Sequence, residues 1–394
     1  MASRAFRQGS LRSASTALGI SQFSFLRVHA MLGGVLPVGV EMRFACLWRG
    51  VKSFVMSGER DLKSEIKRVA GELGFVRVGV AGAGPVAHGD RLRDWLAGGL
   101  HAEMAYMARN LSKRLCPQEL VPGARSVICL AASYAPAKDP PQGGVWVARY
   151  ARGRDYHKVL KKRCHALMDR IRELEGGFVG RAFVDSAPVM ERSLAAAAGV
   201  GWIGRNGCLV VEGAGSYVLL CEIICNLSLE PDEPLPSKCK DCGRCVEACP
   251  TRAIVEDGLV DSRRCISYLT IEHRGGIPSE YRAAMGGRLF GCDACQQACP
   301  FNENLPPGDP ELTGQGEVLG GAGPADILGW NEADWDRETR GSALRRASLE
   351  MFIRNAIIVA GNSAEKALIA PLIKAKERFP WAAELVDWAL GRLG

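Results

Sequence analysis

The sequence predicts an α/β domain, a mixed sheet flanked by helices, followed by a ferredoxin-like domain for two [4Fe-4S] clusters and a small all-α C-terminal unit. Three observations carry this. Apolar runs of strand length alternate with stretches of helical periodicity over residues 59–200. Eight of the fifteen cysteines fall between positions 239 and 299, in two runs that each end in Cys-Pro. After the second run, apolar residues recur at helical spacing toward the C-terminus.

In chain order, Leu62, Ile66, Val69, Ala70 and Leu73 recur at helical spacing over 61–73, and Gly74 stops that helix. A buried strand over 75–80 follows, then a loop over 81–85. Further strands are expected over 126–132 and 145–150. A long helix fills 156–174, Phe183 and Val184 end another strand, and a helix occupies 188–198. Segments 207–212 and 216–224, joined by Gly213-Ala-Gly215, read as an antiparallel hairpin. The proline-rich stretch 230–236 and the Pro- and Gly-rich stretch 302–324 read as linkers. Domains are therefore expected at 56–230, 231–305 and 306–394. Helices over 342–361 and 365–393 close the chain, with Leu349, Phe352, Ile353 and Ile357 as an apolar face.

The first cysteine run is Cys239-x2-Cys242-x2-Cys245-x3-Cys249-Pro250, the spacing of bacterial ferredoxins. A lone Cys265 follows, then Cys292-x2-Cys295-x3-Cys299-Pro300. Two cubane clusters need eight thiolates, and eight are present. In this pattern the Cys before each proline ligates the other cluster. Cys239, Cys242, Cys245 and Cys299 are thus assigned to one cluster, and Cys249, Cys265, Cys292 and Cys295 to the other. Cys265 replaces the first Cys that the second run lacks. Zinc sites do not call for Cys-Pro endings, and disulfide scaffolds are short secreted chains.

A chain of 394 residues, 47% apolar and 24% charged, has the makings of a soluble protein of two or three domains. Cluster ligation and seven further thiols point to a reducing compartment, hence the cytoplasm. The formal charge of +7 is mostly N-terminal. Seven Lys and Arg residues against Glu41 leave +6 on residues 1–57 and +1 on the rest. An acidic partner must therefore meet a local patch. The uncharged run 28–40 is too short to span a bilayer and contains Pro37, so no membrane partner is expected. Residues 1–55 read as an extension outside the fold. Their Arg- and Ser-rich composition fits either a mitochondrial-type transit peptide or a start assigned upstream of Met56.

Gly199-Val-Gly201-Trp-Ile-Gly204 matches the dinucleotide fingerprint in letters, but it follows a helix where the fingerprint must follow a strand. Gly199 reads as a helix C-cap, and the loop can bring backbone close to another large ligand. Asp185 ends a strand in Phe183-Val-Asp-Ser-Ala-Pro188 and has two readings. It caps the following helix, as Ser186 also can, or it serves as an acid at a ligand crevice. Between Arg149 and Arg172 nine Lys and Arg residues face only Asp155 and Asp169. A solvated helix face explains this, and so does an RNA-binding strip of cations and aromatics.

These blocks, namely Tyr150-Ala-Arg-Gly-Arg-Asp-Tyr-His-Lys158, Phe183-Val-Asp-Ser-Ala-Pro188, Gly201-Trp-Ile-Gly-Arg-Asn206, Cys265-Ile-Ser-Tyr-Leu-Thr-Ile271 and the eight cysteines, together resemble the epoxyqueuosine reductase family. The resemblance covers about residues 56–394. It implies a cobalamin-dependent enzyme that removes an epoxide oxygen from the modified wobble nucleotide of a tRNA anticodon stem-loop. Residues 56–230 would hold cobalamin, 231–305 two [4Fe-4S] clusters, and the C-terminal helices would be HEAT-like. Asp185 matches the family's general acid. Arg109 (in Met104-Ala-Tyr-Met-Ala-Arg-Asn110), Tyr156, His157, Ser186, Gly201, Trp202, Gly204 and Asn206 match positions around cofactor and substrate. A low-potential electron donor is implied, and the protein is expected to act as a monomer.

Two other functions share parts of this pattern. A reductive dehalogenase would combine cobalamin with two clusters, but such enzymes commonly carry a twin-arginine leader and end at the cluster domain. Residues 1–57 hold no Arg-Arg pair, and the chain continues well past the cysteines. A non-catalytic iron–sulfur electron-transfer or nucleic-acid-binding protein would not bind cobalamin.

Overall fold

Four strands form the sheet at the centre of the α/β region: β1 (Arg77–Gly82), β2 (Ser126–Ser133), β3 (Gly180–Phe183) and β4 (Val218–Cys225). In the computed structural model their order is β1-β2-β4-β3, and every neighbouring pair is antiparallel. The structure describes residues 61–136, 144–314 and 318–394, all within one compact unit that starts at Gly58. The expected extension 1–55 and the start at Met56 lie outside the described residues.

The antiparallel sheet corrects the expectation of a mixed one. Helix α2 (Tyr156–Leu174) does cross over from β2 to β3 and brings them in the same direction, as alternating strands and helices predict. However, β4 then inserts between them running the other way, so no two neighbours are parallel.

All eight residues of β2 are buried, because both faces of the sheet are covered. Ile128, Leu130 and Ala132 point to one face, where they pack with Ile66 and Val69 of α1 (Leu62–Glu72) and with Leu160 and Leu167 of α2. Val127, Cys129 and Ala131 point to the other and meet Leu194 and Ala195 of α3 (Glu191–Ala197). The period-2 alternation of a strand divides one apolar run between two cores.

Several predicted elements shift. The strand expected over 145–150 is reduced to Trp146–Val147, which pairs in parallel with Arg288–Phe290 of the cluster segment. The Arg149 N–H is instead taken by the Asp293 carboxylate at 3.0 Å, and the chain coils at Arg149–Ala151. The expected 207–224 hairpin is replaced by pairing of Leu209–Val210 with Trp202–Ile203, while β4 goes to the sheet centre. The helix expected from Pro188 begins only at Glu191, with Met190 at its N-cap. Asp185 and Ser186 therefore do not cap it.

The two predicted linkers are pinned to the fold. Asp232 exchanges hydrogen bonds with Val80, accepting from its N–H at 2.9 Å and donating its own N–H to the Val80 carbonyl at 2.8 Å. It also pairs with Lys63 and Lys67 at 2.8 Å each. In the second linker, Gly308 and Asp309 donate to the carbonyls of Ala135 and Ser133, and Asp309 pairs with Arg163 at 2.5 Å.

The cysteine-bearing segment is stapled to the sheet. Asn302 accepts from the Ser216 N–H at 2.7 Å, and Gln296 donates to the Ser216 carbonyl at 2.8 Å. At the C-terminal side lie α4 (Leu349–Asn362), α5 (Ile369–Arg378) and α6 (Ala383–Leu393). The single helix expected over 365–393 is broken because Pro380 cannot continue α5. Two shorter helices, Pro324–Leu328 and Glu332–Thr339, lie where linker and C-terminal unit were expected to meet. Arg354 of α4 is buried and donates to the carbonyls of Leu269, His273 and Gly275, and Asn355 donates to Thr270 and Leu289. The helical unit thus fixes the segment that carries Cys265.

Candidate active site

A cavity of about 1540 Å³ opens between the first turn of α2, the loop after β3, the Trp202–Val210 hairpin and the cysteine-bearing segment. Its wall includes His157, Asp185, Glu191 and Gly204 from the α/β region, and Cys239 and Cys265 from the cluster segment. Ordinary small-molecule pockets are about 300–1,000 Å³. This one is sized for a large ligand, or for two that meet.

Local sequence positions each acidic and aromatic group. Asp155 is the N-cap of α2, accepting from the His157 N–H at 3.1 Å, so the next two residues, Tyr156 and His157, leave the helix start at the cavity edge. The same Asp155 oxygen lies 2.8 Å from His157 Nδ1. An ionised carboxylate only accepts, so this contact assigns a proton to Nδ1. Nε2 of the same ring faces Asp185 Oδ2 at 3.8 Å. The Tyr156 hydroxyl donates to the same Oδ2, and the Tyr156 and His157 rings stack at 4.1 Å.

Asp185 sits just past the end of β3 with φ +48°, in the left-handed region that few residues other than glycine adopt. Its side chain is 57% exposed to the cavity. Its N–H donates to Oε1 of Glu191 at 2.7 Å. Burial, and then the Asp185 charge, push the Glu191 carboxyl up to about 8. Behind it, Glu222 of β4 is fully buried, and neither carboxylate oxygen has a hydrogen-bond partner among the described residues. Burial and the neighbouring Glu191 hold Glu222 well above the carboxylate range. Sequence reading missed both glutamates. A lone Glu within the apolar run of β4 was the visible signal for Glu222; nothing local marked Glu191.

Of the other residues singled out from sequence, Arg109, Tyr156 and Ser186 also line the cavity. Gly201, Trp202 and Asn206 lie behind its wall. A Cβ on Gly201 would come within 2.2 Å of the Val210 carbonyl, so glycine is required there by the hairpin itself. Trp202 and Asn206 are buried, and Trp202 Nε1 and Asn206 Nδ2 lack partners among the described residues.

The cysteines occupy two neighbourhoods. Burial raises Cys299, and Cys239, Cys245 and Cys242 add to the shift from the other run. Burial pushes Cys265 up to about 11, with Cys292 and Cys249 as its charged neighbours. Backbone N–H groups point at these sulfurs: Ala253 at Cys249 (3.2 Å), Ser267 and Tyr268 at Cys265, Ala294 at Cys292 and Phe301 at Cys299. Among the described residues no three His, Cys, Asp or Glu side chains are grouped to hold a single metal ion. A cubane does not require that, since each of its irons takes one thiolate.

A cavity walled by an aspartate on one side and cluster-type cysteines on the other defines an iron–sulfur oxidoreductase. Residues 238–302 match the 4Fe-4S double cluster binding domain, and all eight cysteines lie within them. Residues 114–186 match the family model described as epoxyqueuosine reductase QueG, DUF1730. The chain is 42% identical over 348 residues to the epoxyqueuosine reductase of Pseudomonas aeruginosa, covering 84% of this chain and 95% of that one. It is 39% identical over 343 residues to that of Vibrio cholerae, covering 84% and 92%.

The chain belongs to the epoxyqueuosine reductase family. Solved structures agree. A crystal structure of epoxyqueuosine reductase with an epoxyqueuosine-modified tRNA-Tyr stem loop superposes with a TM-score of 0.78 at 29% identity, covering 84% of this chain and 90% of that one. The Bacillus subtilis enzyme, with its catalytic aspartate loop swung out of the active site, gives 0.73 at 26% identity over 84% and 99%. Among the described residues no helix is long and apolar enough to cross a membrane.

Proposed function

We infer that this protein reduces epoxyqueuosine to queuosine at the wobble position of tRNA anticodons. The observation that carries this is the shared cavity, which reaches Asp185 on one side and both cysteine groups, through Cys239 and Cys265, on the other. The reaction breaks both C–O bonds of the epoxide, forms a carbon–carbon double bond and releases the oxygen as water. It consumes two electrons and two protons.

Cys239, Cys242, Cys245 and Cys299 would hold one [4Fe-4S] cluster and Cys249, Cys265, Cys292 and Cys295 the other, which would supply one-electron carriers. Cobalamin fits the cavity by size, and the wall is mixed as a corrin needs, with Met104, Met107 and Ile271 beside the polar Arg109 and Ser186. When bound, it supplies a low-valent cobalt centre able to deliver the electron pair to carbon. Gly204 meets the cavity at the tip of the hairpin that Gly201 keeps tight, and Arg109 and Ser186 contribute polar contacts from the wall.

The residues of the chain handle the protons. Asp185 delivers one to the oxygen that develops alkoxide charge, a role typically worth ~10²–10⁴-fold. Tyr156 holds Oδ2, so Oδ1 carries the proton. His157, with Nε2 3.8 Å from Asp185 Oδ2, is the second protonatable group at the cavity edge and supplies the second proton.

The tRNA meets a local basic strip. Within the cation-rich stretch, Arg154, Arg163, Arg170 and Arg172 are neutralised by acidic partners. Lys158, Lys161 and Lys162 are exposed and have no ion pair among the described residues. They run outward from the cavity on α2, where phosphates of a stem loop with its wobble base in the cavity would lie. A low-potential donor feeds the clusters, and the protein works in the cytoplasm as a monomer.

Deleting the gene and analysing tRNA nucleosides tests the function. Epoxyqueuosine should accumulate in place of queuosine and revert on complementation; unchanged queuosine would refute it.

A further inference from the structure

The loop between β3 and α3 has to present Asp185 to the cavity, and its buried ends, Val184 and Val189, leave the turn at Asp185 itself to local contacts. It runs from Val184 to Met190 without regular structure, and Asp185 takes the left-handed conformation within it. Two contacts restrain Asp185. Its carboxylate receives the Tyr156 hydroxyl, and its N–H is received by Glu191 Oε1 at 2.7 Å. The first contact exists only while the backbone already points the side chain toward α2. The second sets the backbone.

Glu191 is well placed for this. It is the first residue of α3, anchored by the buried Ser193, Leu194 and Ala195 behind it. Its side chain reaches back six residues, as the glutamate of a capping box reaches back three. Among the described residues the Asp185 amide is its hydrogen-bond partner, and no Lys or Arg forms an ion pair with it. Burial keeps the carboxyl from ionising readily, so its geometry is set by hydrogen bonding.

We propose that Glu191 is a positioning residue: by accepting the Asp185 N–H, it holds Asp185 in the left-handed conformation that turns its carboxylate toward Tyr156 and the cavity. This rests on Asp185 being the proton donor of the proposed reaction. A displaced donor changes the chemical step and leaves substrate binding intact. Its loss therefore falls on kcat, on the order of 10²-fold for a misplacement near 1 Å.

Glu191→Leu keeps the side-chain bulk at a half-buried position and removes the acceptor, whereas Glu191→Gln keeps both. Two readouts separate this proposal from the reading beneath it. In hydrogen exchange, which needs neither substrate nor turnover, the Asp185 amide should exchange at least tenfold faster in Glu191→Leu and at the native rate in Glu191→Gln. With epoxyqueuosine-bearing tRNA, Glu191→Leu should lose on the order of 10² in kcat at unchanged KM, and Glu191→Gln should stay within about threefold of native. Native exchange in Glu191→Leu overturns the proposal, as does a Gln variant as defective as the Leu variant. A native enzyme without turnover would refute the catalytic reading while leaving the exchange result to stand for Glu191.

Discussion

The hydroxyl of Tyr156 donates a hydrogen bond to Oδ2 of Asp185, tying the first turn of α2 to the loop that leaves β3. Burial and the Asp185 charge hold the Tyr156 phenol well above its ordinary range, so it stays a donor. One carboxylate oxygen is thereby committed to the protein and the other is left for the substrate. Asp185→Asn should abolish turnover, and Tyr156→Phe should lower kcat about tenfold. Iron and corrin content should be native in both. Turnover by Asp185→Asn would remove the proton-donor role.

The crossed cysteine assignment predicts that partners distant in sequence fail together. Cys299→Ser should destroy the cluster held by Cys239, Cys242 and Cys245, and Cys249→Ser the other. Each variant should fall from about eight irons to about four. Electron paramagnetic resonance of the reduced protein should show a different surviving signal in each. The same surviving signal in both variants would contradict the crossing.

Glu191 also predicts a pH effect on stability. Its folded value near 8 stands above the usual 4.5 of a glutamate. Between these values the folded state keeps a proton that the unfolded chain has released, so stability falls as pH rises from about 4.5 to about 8. Glu191→Gln removes this loss. The gap in thermal midpoint between Glu191→Gln and native protein should widen in favour of the variant by about 2 °C or more from pH 5 to pH 8. Parallel profiles would place the Glu191 carboxyl in water.

If the α2 strip carries tRNA phosphates, replacing Lys158, Lys161 and Lys162 by alanine should weaken binding of any stem loop. The slope of log K against log[salt] should shrink by about two to three. Binding measured at several salt concentrations decides this, and an unchanged slope would leave the lysines as a solvated helix face.

Much of this architecture is legible in the sequence where signals are local. Helix α2 and the buried run of β2 follow from periodicity, and the eight cysteines announce two clusters by spacing alone. The sheet direction was not legible, since β4 slots between β2 and β3 from 35 residues beyond β3, and no local pattern encodes insertion. The segments around Asp232 and Asp309 read as linkers because their composition is open, while Lys67 and Arg163, which hold them, lie far away in the chain. Asp185 was ambiguous between cap and acid. The late start of α3 at Glu191 removes the cap, and the partner that sets its backbone is a side chain whose reach spacing could not reveal.

In the proposed reaction the clusters, a cobalamin in the cavity and Asp185 act together on an epoxide in tRNA. The most direct measurement is turnover by anaerobically reconstituted protein, supplied with cobalamin, a low-potential reductant and epoxyqueuosine-bearing tRNA, with nucleosides read by mass spectrometry. Queuosine should form only when cobalamin and clusters are both present. Protein with intact clusters that never shows a corrin spectrum, or that forms queuosine without cobalamin, would contradict the account.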